Sequence, residues 1–399
     1  MTPHRMLAPE QTISEIALPT LDVRVLLRRV GLPTLLACTL VATAFVAGGR
    51  IHAVAAVLHR GFAEAPGWVA GGVVLESASL AAYMCLLSLV AGRATPRIGA
   101  RESAQITLAG AAATRLLPTA GAGGAALTVW TLKRAGLAPR VAARTLLAFL
   151  VVLYAVFLGA IVAAGGVLAL GIVHSPGPVA LSAIPAAGAL LAMTIALALA
   201  VRRGIAAHAD TAGRAGAAQA PRRSRLIAGA RLIGDAVADG CRLVRSGDLR
   251  LVGAIGYWAF DAAVLWAMLR AFGATASIPV VVLAYFVGQV SNTIPIPGAV
   301  SGGMTGVLVA FGVPLELALP AVLTYRTLAV WLPLPVAIAA VPGLRASIAR
   351  WEHEDAAASA GRGGLARRRG LRGAYVGTTP PSQMTPITVP VPACPGSGP

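Results

Sequence analysis

The stretch Ser291-Asn-Thr-Ile-Pro-Ile-Pro-Gly-Ala-Val-Ser-Gly-Gly303 lies between two hydrophobic runs and interrupts both. Asn292, Thr293 and Ser301 place polar groups at membrane depth. Pro295 and Pro297 remove backbone donors, and Gly298, Gly302 and Gly303 allow a tight turn. Irregular backbone survives inside a bilayer only where protein or a water-filled cavity surrounds it. The chain repeats the pattern at Thr114-Arg-Leu-Leu-Pro-Thr-Ala-Gly-Ala-Gly-Gly124. Two interrupted apolar segments in two halves of a membrane protein point to a transport site.

Working outward from these breaks, the composition is that of a polytopic membrane protein. Apolar residues make up 57% of the 399 residues and charged residues only 12%, about half the share found in soluble domains. Several runs reach the roughly 20 residues that cross a bilayer. The chain reads as all-α, with about six full spans, two re-entrant helical hairpins and an inverted-topology repeat. The full spans are Leu32–Gly48, Trp68–Val90, Thr145–Ile172, Val179–Val201, Leu251–Phe272 and Leu315–Val341. The hairpin arms are Ser103–Leu117 with Ala122–Leu132, and Ile278–Ser291 with Val300–Phe311. At about 1.5 Å per residue the first pair of arms reaches about 16–22 Å, short of the ~30 Å hydrocarbon core.

Charge placement orients these segments. Formal net charge is +18, and Lys133 is the one lysine. Basic clusters at the N-terminus, 93–101, 133–144, 202–250 and the tail all fall on one side, which the positive-inside rule makes cytoplasmic. Residues 1–30 form a cytoplasmic segment, 31–342 the integral membrane domain with its basic connector 202–250, and 343–399 a disordered Arg-, Gly- and Pro-rich tail. Within the connector, Arg223–Arg245 reads as an amphipathic surface helix, with a basic face suited to anionic headgroups.

The two hairpin-bearing units, 68–172 and 251–341, start on opposite sides of the membrane in this scheme. Pro118 to Gly136 spans 18 residues and Pro295 to Gly312 spans 17. Glu76 and Asp261 each occupy the helix before a hairpin; Arg326 follows the second hairpin and Arg115 precedes Pro118. A charge at the bilayer centre costs about 2.5–3.5 kcal/mol on insertion scales, so it needs a partner or water. Two carboxylate–arginine pairs lining one cavity are the functional reading, with arginine gripping a lipid phosphate; structural pairing that pins helices is the competing one. Tyr325 reads as a headgroup contact or a packing aromatic. Gly302-Gly303 reads as a substrate loop or a tight helix contact.

Soluble-enzyme chemistry has no foothold. Cys38, Cys85, Cys241 and Cys394 have no metal-ligand spacing, the six histidines form no cluster, and no nucleotide-binding loop or nucleophile elbow occurs. The chain is therefore expected not to be an enzyme and to need no cofactor or metal.

"NTIPIPGAVSGG", followed by Gly312 and then "TYR" at Thr324–Arg326, resembles the membrane region of the lysylphosphatidylglycerol synthase/flippase-like family. "RLLPTAGAGGAALTVWTLKRAG" is similar to that family's first-half signature, with Arg115 where the family often has Asn. The resemblance covers roughly residues 30–345. It implies phospholipid translocation between leaflets of a bacterial inner membrane, with both termini cytoplasmic. The expected site residues are Glu76, Arg115, Pro118, Asp261, Asn292, Pro295, Gly302, Gly303, Tyr325 and Arg326. Nothing after residue 345 reads as the aminoacyltransferase domain of fused members, so a stand-alone member is expected. Membrane phospholipids are the expected partners and nucleic acid is not; a homo-oligomer stays open. A membrane-embedded lipid-modifying transferase and a non-transporting scaffold are the alternative functions.

Overall fold

The computed structural model describes residues 59, 63, 65–116, 122–210, 221–291 and 298–375. The first expected span, Leu32–Gly48, lies outside them. The described chain runs as α1 (Pro66–Ala94), α2 (Ala100–Leu116), α3 (Ala122–Arg134), α4 (Pro139–Ala169), α5 (Val179–Asp210), α6 (Pro221–Arg245), a 3₁₀ turn (Leu249–Leu251), α7 (Val252–Ala271), α8 (Ile278–Val290), α9 (Ala299–Ala310), α10 (Leu315–Trp331) and α11 (Pro333–Tyr375). It is all-helical, and five segments among the described residues are long and apolar enough to cross a membrane.

Lengths separate two kinds of helix. α1 and α4 have 29 and 31 residues, enough to exceed a ~30 Å core at about 1.5 Å per residue. α3, α8 and α9 have 13, 13 and 12 residues and reach only about 18–20 Å. Proline in the first turn starts α1, α4 and α8, where its missing N–H costs nothing.

Gly136 and Gly312 end the second arm of each short pair. Both have positive φ, 93° and 89°, a conformation open to glycine and costly for most other residues. In both, the next N–H reaches back five residues along the helix: Leu137 N to Leu132 O at 3.2 Å, and Val313 N to Leu308 O at 3.0 Å. The Pro–Gly spacing in the sequence thus ends on matching caps. Around Gly136, the Thr95 hydroxyl lies 3.5 Å from Ala135 O. Around Gly312, a Cβ would stand 2.8 Å from Pro176, in the turn between α4 and α5.

α1 and α7 form the central pair and run antiparallel. Ser79 Oγ donates to Tyr257 O at 2.9 Å, and a Cβ on Gly253 would lie 2.5 Å from Ala82 O. Small residues at such crossings let two backbones approach, which is how membrane helices gain packing energy without a hydrophobic drive. Trp258 of α7 anchors the pair to α4: its Nε1–H donates to Leu153 O at 2.8 Å. Phe157, Tyr257 and Phe286 surround it with ring centroids 4.7–5.6 Å away, contacts worth about 0.5–1.5 kcal/mol each beyond area burial.

Over Val179–Val201, α5 is apolar all round yet mostly exposed, with Ile184 at 70% and Leu191 at 60%. Lipid is the solvent that such a surface fits. It meets α4 at Gly165, where a Cβ would come within 2.7 Å of Ser182 O. α6 packs on α4 through Ala236, Val237, Gly240 and Leu243, so this expected amphipathic helix buries its apolar face on protein.

Two differences from the sequence reading stand out. The expected continuous last span Leu315–Val341 is broken at Leu332, between α10 and α11. Pro333 and Pro335 lack the N–H groups that would carry the ladder across. Beyond it, α11 stays helical to Tyr375, where the tail composition predicts disorder. Alanine and arginine between the glycines are strong helix formers and account for the extension. The chain divides into compact units at Ile348 and Ala349. In the first, Ser347 Oγ of α11 donates to Gln105 Oε1 of α2 at 2.9 Å.

Candidate functional site

The antiparallel α1–α7 pair carries the two intramembrane carboxylates. Glu76 of α1 and Asp261 of α7 are buried, at 4% and 8% exposure. Neither could stay at such depth without polar company. Asp261 receives two phenol hydroxyls. Tyr285 of α8 donates to Oδ2 at 2.6 Å, and Tyr325 of α10 donates to Oδ1 at 3.0 Å. Gln289, one helical turn beyond Tyr285, points Nε2 at the Tyr325 oxygen across 3.4 Å. One carboxylate therefore ties α7 to α8 and α10 at once.

Tyr325 lies within electrostatic reach of Asp261, Arg326 and Glu76, and Tyr257 within reach of Asp261 and Glu76. The structure thus gathers Glu76, Asp261, Tyr325 and Arg326 into one electrostatic neighbourhood. Arg326 follows Tyr325 directly and is half-buried. Tyrosine hydroxyls are thus among the partners of Asp261. Arg115 sits in the last turn of α2. Pro118, Asn292 and Pro295 lie outside the described residues.

Gly302 and Gly303 divide the roles that the sequence left open. A Cβ on Gly303 would stand 2.6 Å from Ser291 Oγ and 3.4 Å from Gly288 Cα, so Gly303 serves the α8–α9 contact. Gly302 meets nothing within 4 Å and faces open space. The α2–α3 contact is built alike. A Cβ on Gly124 would stand 2.5 Å from Thr114 Oγ1 and 3.0 Å from Gly110 O, and Gly124 N–H donates to Thr114 Oγ1 at 3.0 Å. Each pair of short helices is pinched at two glycines with a hydroxyl beside them.

Beside this assembly lies a cavity of about 300 Å³ between α1, α2, α3, α4 and α7. Its polar lining is made of hydroxyls: Tyr83, Thr107, Thr114, Thr128, Tyr154 and Tyr257. The buried Thr107 oxygen has no hydrogen-bond partner among the described residues, so a polar guest would satisfy it. Tyr257 connects the cavity wall to the Asp261 neighbourhood. Among the described residues no group of three or more His, Cys, Asp or Glu could hold a metal ion.

Tyr285, Gln289 and the hydroxyl-lined cavity were absent from the sequence reading. The available signal was the i, i+4 spacing of Tyr285 and Gln289, the two large polar side chains of an otherwise apolar helix, on one face.

Comparison with known families agrees with the architecture. The family model described as the lysylphosphatidylglycerol synthase TM region matches residues 30–337. No curated protein matches the chain.

Proposed function

Because the chain belongs to the lysylphosphatidylglycerol synthase transmembrane family, and is thereby a multi-pass membrane protein of lipid metabolism or transport, we propose that it is a phospholipid translocase. Lipid moves between leaflets by alternating access, and the chain itself makes no covalent change to it.

The observation that carries this reading is the matched pair of pinched helices around buried carboxylates. α2–α3 and α8–α9 share glycine crossings, adjacent hydroxyls and matching end caps. The cap at Gly136 lies near the end of α1, whereas the cap at Gly312 lies near the end of α4. Since α4 starts beside Gly136, these ends belong to opposite faces. Two short hairpins entering from opposite faces, related as an inverted repeat, meet near the midplane where Glu76 and Asp261 sit. α8 packs closely on α4, and no equally extensive contact joins α2 to α10 among the described residues. That asymmetry suits one of two access states, with the hydroxyl-lined cavity as the polar path for a headgroup. The basic faces orient the protein with both termini in the cytoplasm of a bacterial inner membrane.

Reconstitution tests this. Proteoliposomes carrying fluorescent anionic, zwitterionic or polyprenyl lipids should exchange at least one class between leaflets faster than empty vesicles. A chemically altered lipid in the mass spectrum, with no accelerated exchange, would replace translocation with the transferase reading.

A further inference from the structure

A second cavity, separate from the carboxylate neighbourhood, opens where the ends of α1 and α6 meet the start of α4. It measures about 410 Å³ and is lined by Arg93, Arg144 and Arg242, with Asp239 as its acidic member. Its other walls are Val90, Ala94, Val141, Thr145, Ala148 and Leu243, supplied by the two spans and the buried face of α6.

The arginines are held rather than loose. Asp239 accepts from Arg144 Nη2 at 2.8 Å, from Arg144 Nε and from Arg242. Arg93 donates to Ser246 Oγ at 3.1 Å and lies 3.5 Å from Asp248, which also pairs with Arg250. Asp235 is within electrostatic reach of Arg144. A guanidinium carries five N–H donors. Asp239 uses two from Arg144 and one from Arg242, and Arg93 spends its contacts toward Ser246 and Asp248. Among the described residues donors remain on all three arginines, and the cavity wall carries more positive than negative charge. The side chains are 41–68% exposed, open to an approaching ligand.

We infer that this cavity binds the phosphate of an anionic amphiphile, with the arginine edges on the phosphate oxygens and the apolar wall of α1 and α4 beside the tail. Arginine presents paired N–H groups in the geometry of a phosphate. Asp239 pairs with two of the guanidinium groups, and its one negative charge does not cancel three positive ones. The site goes beyond the translocation path and would stand even if the chain moves no lipid.

Native mass spectrometry of the full chain, released from micelles doped with equal amounts of phosphatidylglycerol or phosphatidylcholine, tests the assignment. Wild type should retain phosphatidylglycerol preferentially. Arg93→Gln with Arg242→Gln should cut that preference roughly tenfold, while the lysine pair at the same positions, with the charge but not the paired N–H geometry, keeps only part of it. Asp239→Asn should keep or raise the preference, since it removes a competing anion. Displacement by millimolar inorganic phosphate would identify a soluble phosphate as the natural occupant; resistance to it would identify the lipid headgroup. Equal retention of both lipids by wild type, or an undiminished preference in the double glutamine variant, would overturn the proposal. So would loss of preference in an Asp239→Asn protein that still unfolds cooperatively in its melting curve.

Discussion

Tyr285→Phe removes one oxygen and leaves the ring in place. Tyr285 is fully buried, and its hydroxyl gives Asp261 its shorter hydrogen bond, 2.6 Å against 3.0 Å from Tyr325. Hydrogen bonds to charged groups contribute about 1.5–3 kcal/mol in proteins generally. Interhelical hydrogen bonds in membranes average only about 0.6 kcal/mol and reach about 1.7 kcal/mol, because the unfolded chain also finds partners there. A short bond to a buried carboxylate belongs at the upper end of the membrane range. Tyr285→Phe should therefore destabilise the protein by about 1.5 kcal/mol, roughly tenfold in the folding equilibrium. Tyr325→Phe should cost about as much or less, since its bond is longer and only a weak Gln289 contact goes with it. Denaturant titration in mixed micelles measures both, and the Asp261→Asn, Tyr285→Phe cycle isolates their coupling. A Tyr285→Phe protein within about 0.3 kcal/mol of wild type, or a coupling near zero, would refute Asp261 as the tie between α7, α8 and α10.

Glycine substitutions should separate packing from open positions. Gly253→Ala drives a Cβ to 2.5 Å from Ala82 O, a backbone atom, and should cost about 1–3 kcal/mol by overpacking; Gly302→Ala meets open space and should stay within about 0.5 kcal/mol, both read by thermal unfolding. Burial pushes the Asp239 carboxyl upward, but hydrogen bonds from Arg144 and Arg242 outweigh this and hold it below the ordinary range. The stability it adds is thus complete above the ordinary aspartate value of about 3.9 and is lost as pH falls through the depressed value. The difference in melting temperature between wild type and Asp239→Asn should be constant near neutrality and shrink only under strong acid. A difference that shrinks between pH 7 and about 5 would contradict the pairing.

How much was legible in the sequence follows from the range of each interaction. Span positions rest on local hydropathy, and α1, α4, α5 and α7 lie where the apolar runs put them. Gly136 and Gly312 carry a backbone requirement, so their shared spacing from a proline survived as matching caps. Pro333 and Pro335 held the signal for the break at Leu332, but hydropathy across them is continuous and masks it. Glu76 and Asp261 were legible because a buried charge must have a reason. Their surroundings were not. Tyr285 lies 24 residues from Asp261 on another helix, and a lone tyrosine in Ile278–Val290 reads as a packing aromatic. Arg144 and Asp239, 95 residues apart, meet only because α6 folds back on α4.

Leaflet exchange of labelled phospholipid in proteoliposomes, compared between wild type, Asp261→Asn and Arg326→Gln, tests the translocase reading most directly. That reading predicts accelerated exchange by wild type and its loss in either variant, each still folded by its melting curve. Exchange at the empty-vesicle rate by wild type across anionic, zwitterionic and polyprenyl lipids, or undiminished exchange in both variants, would contradict it.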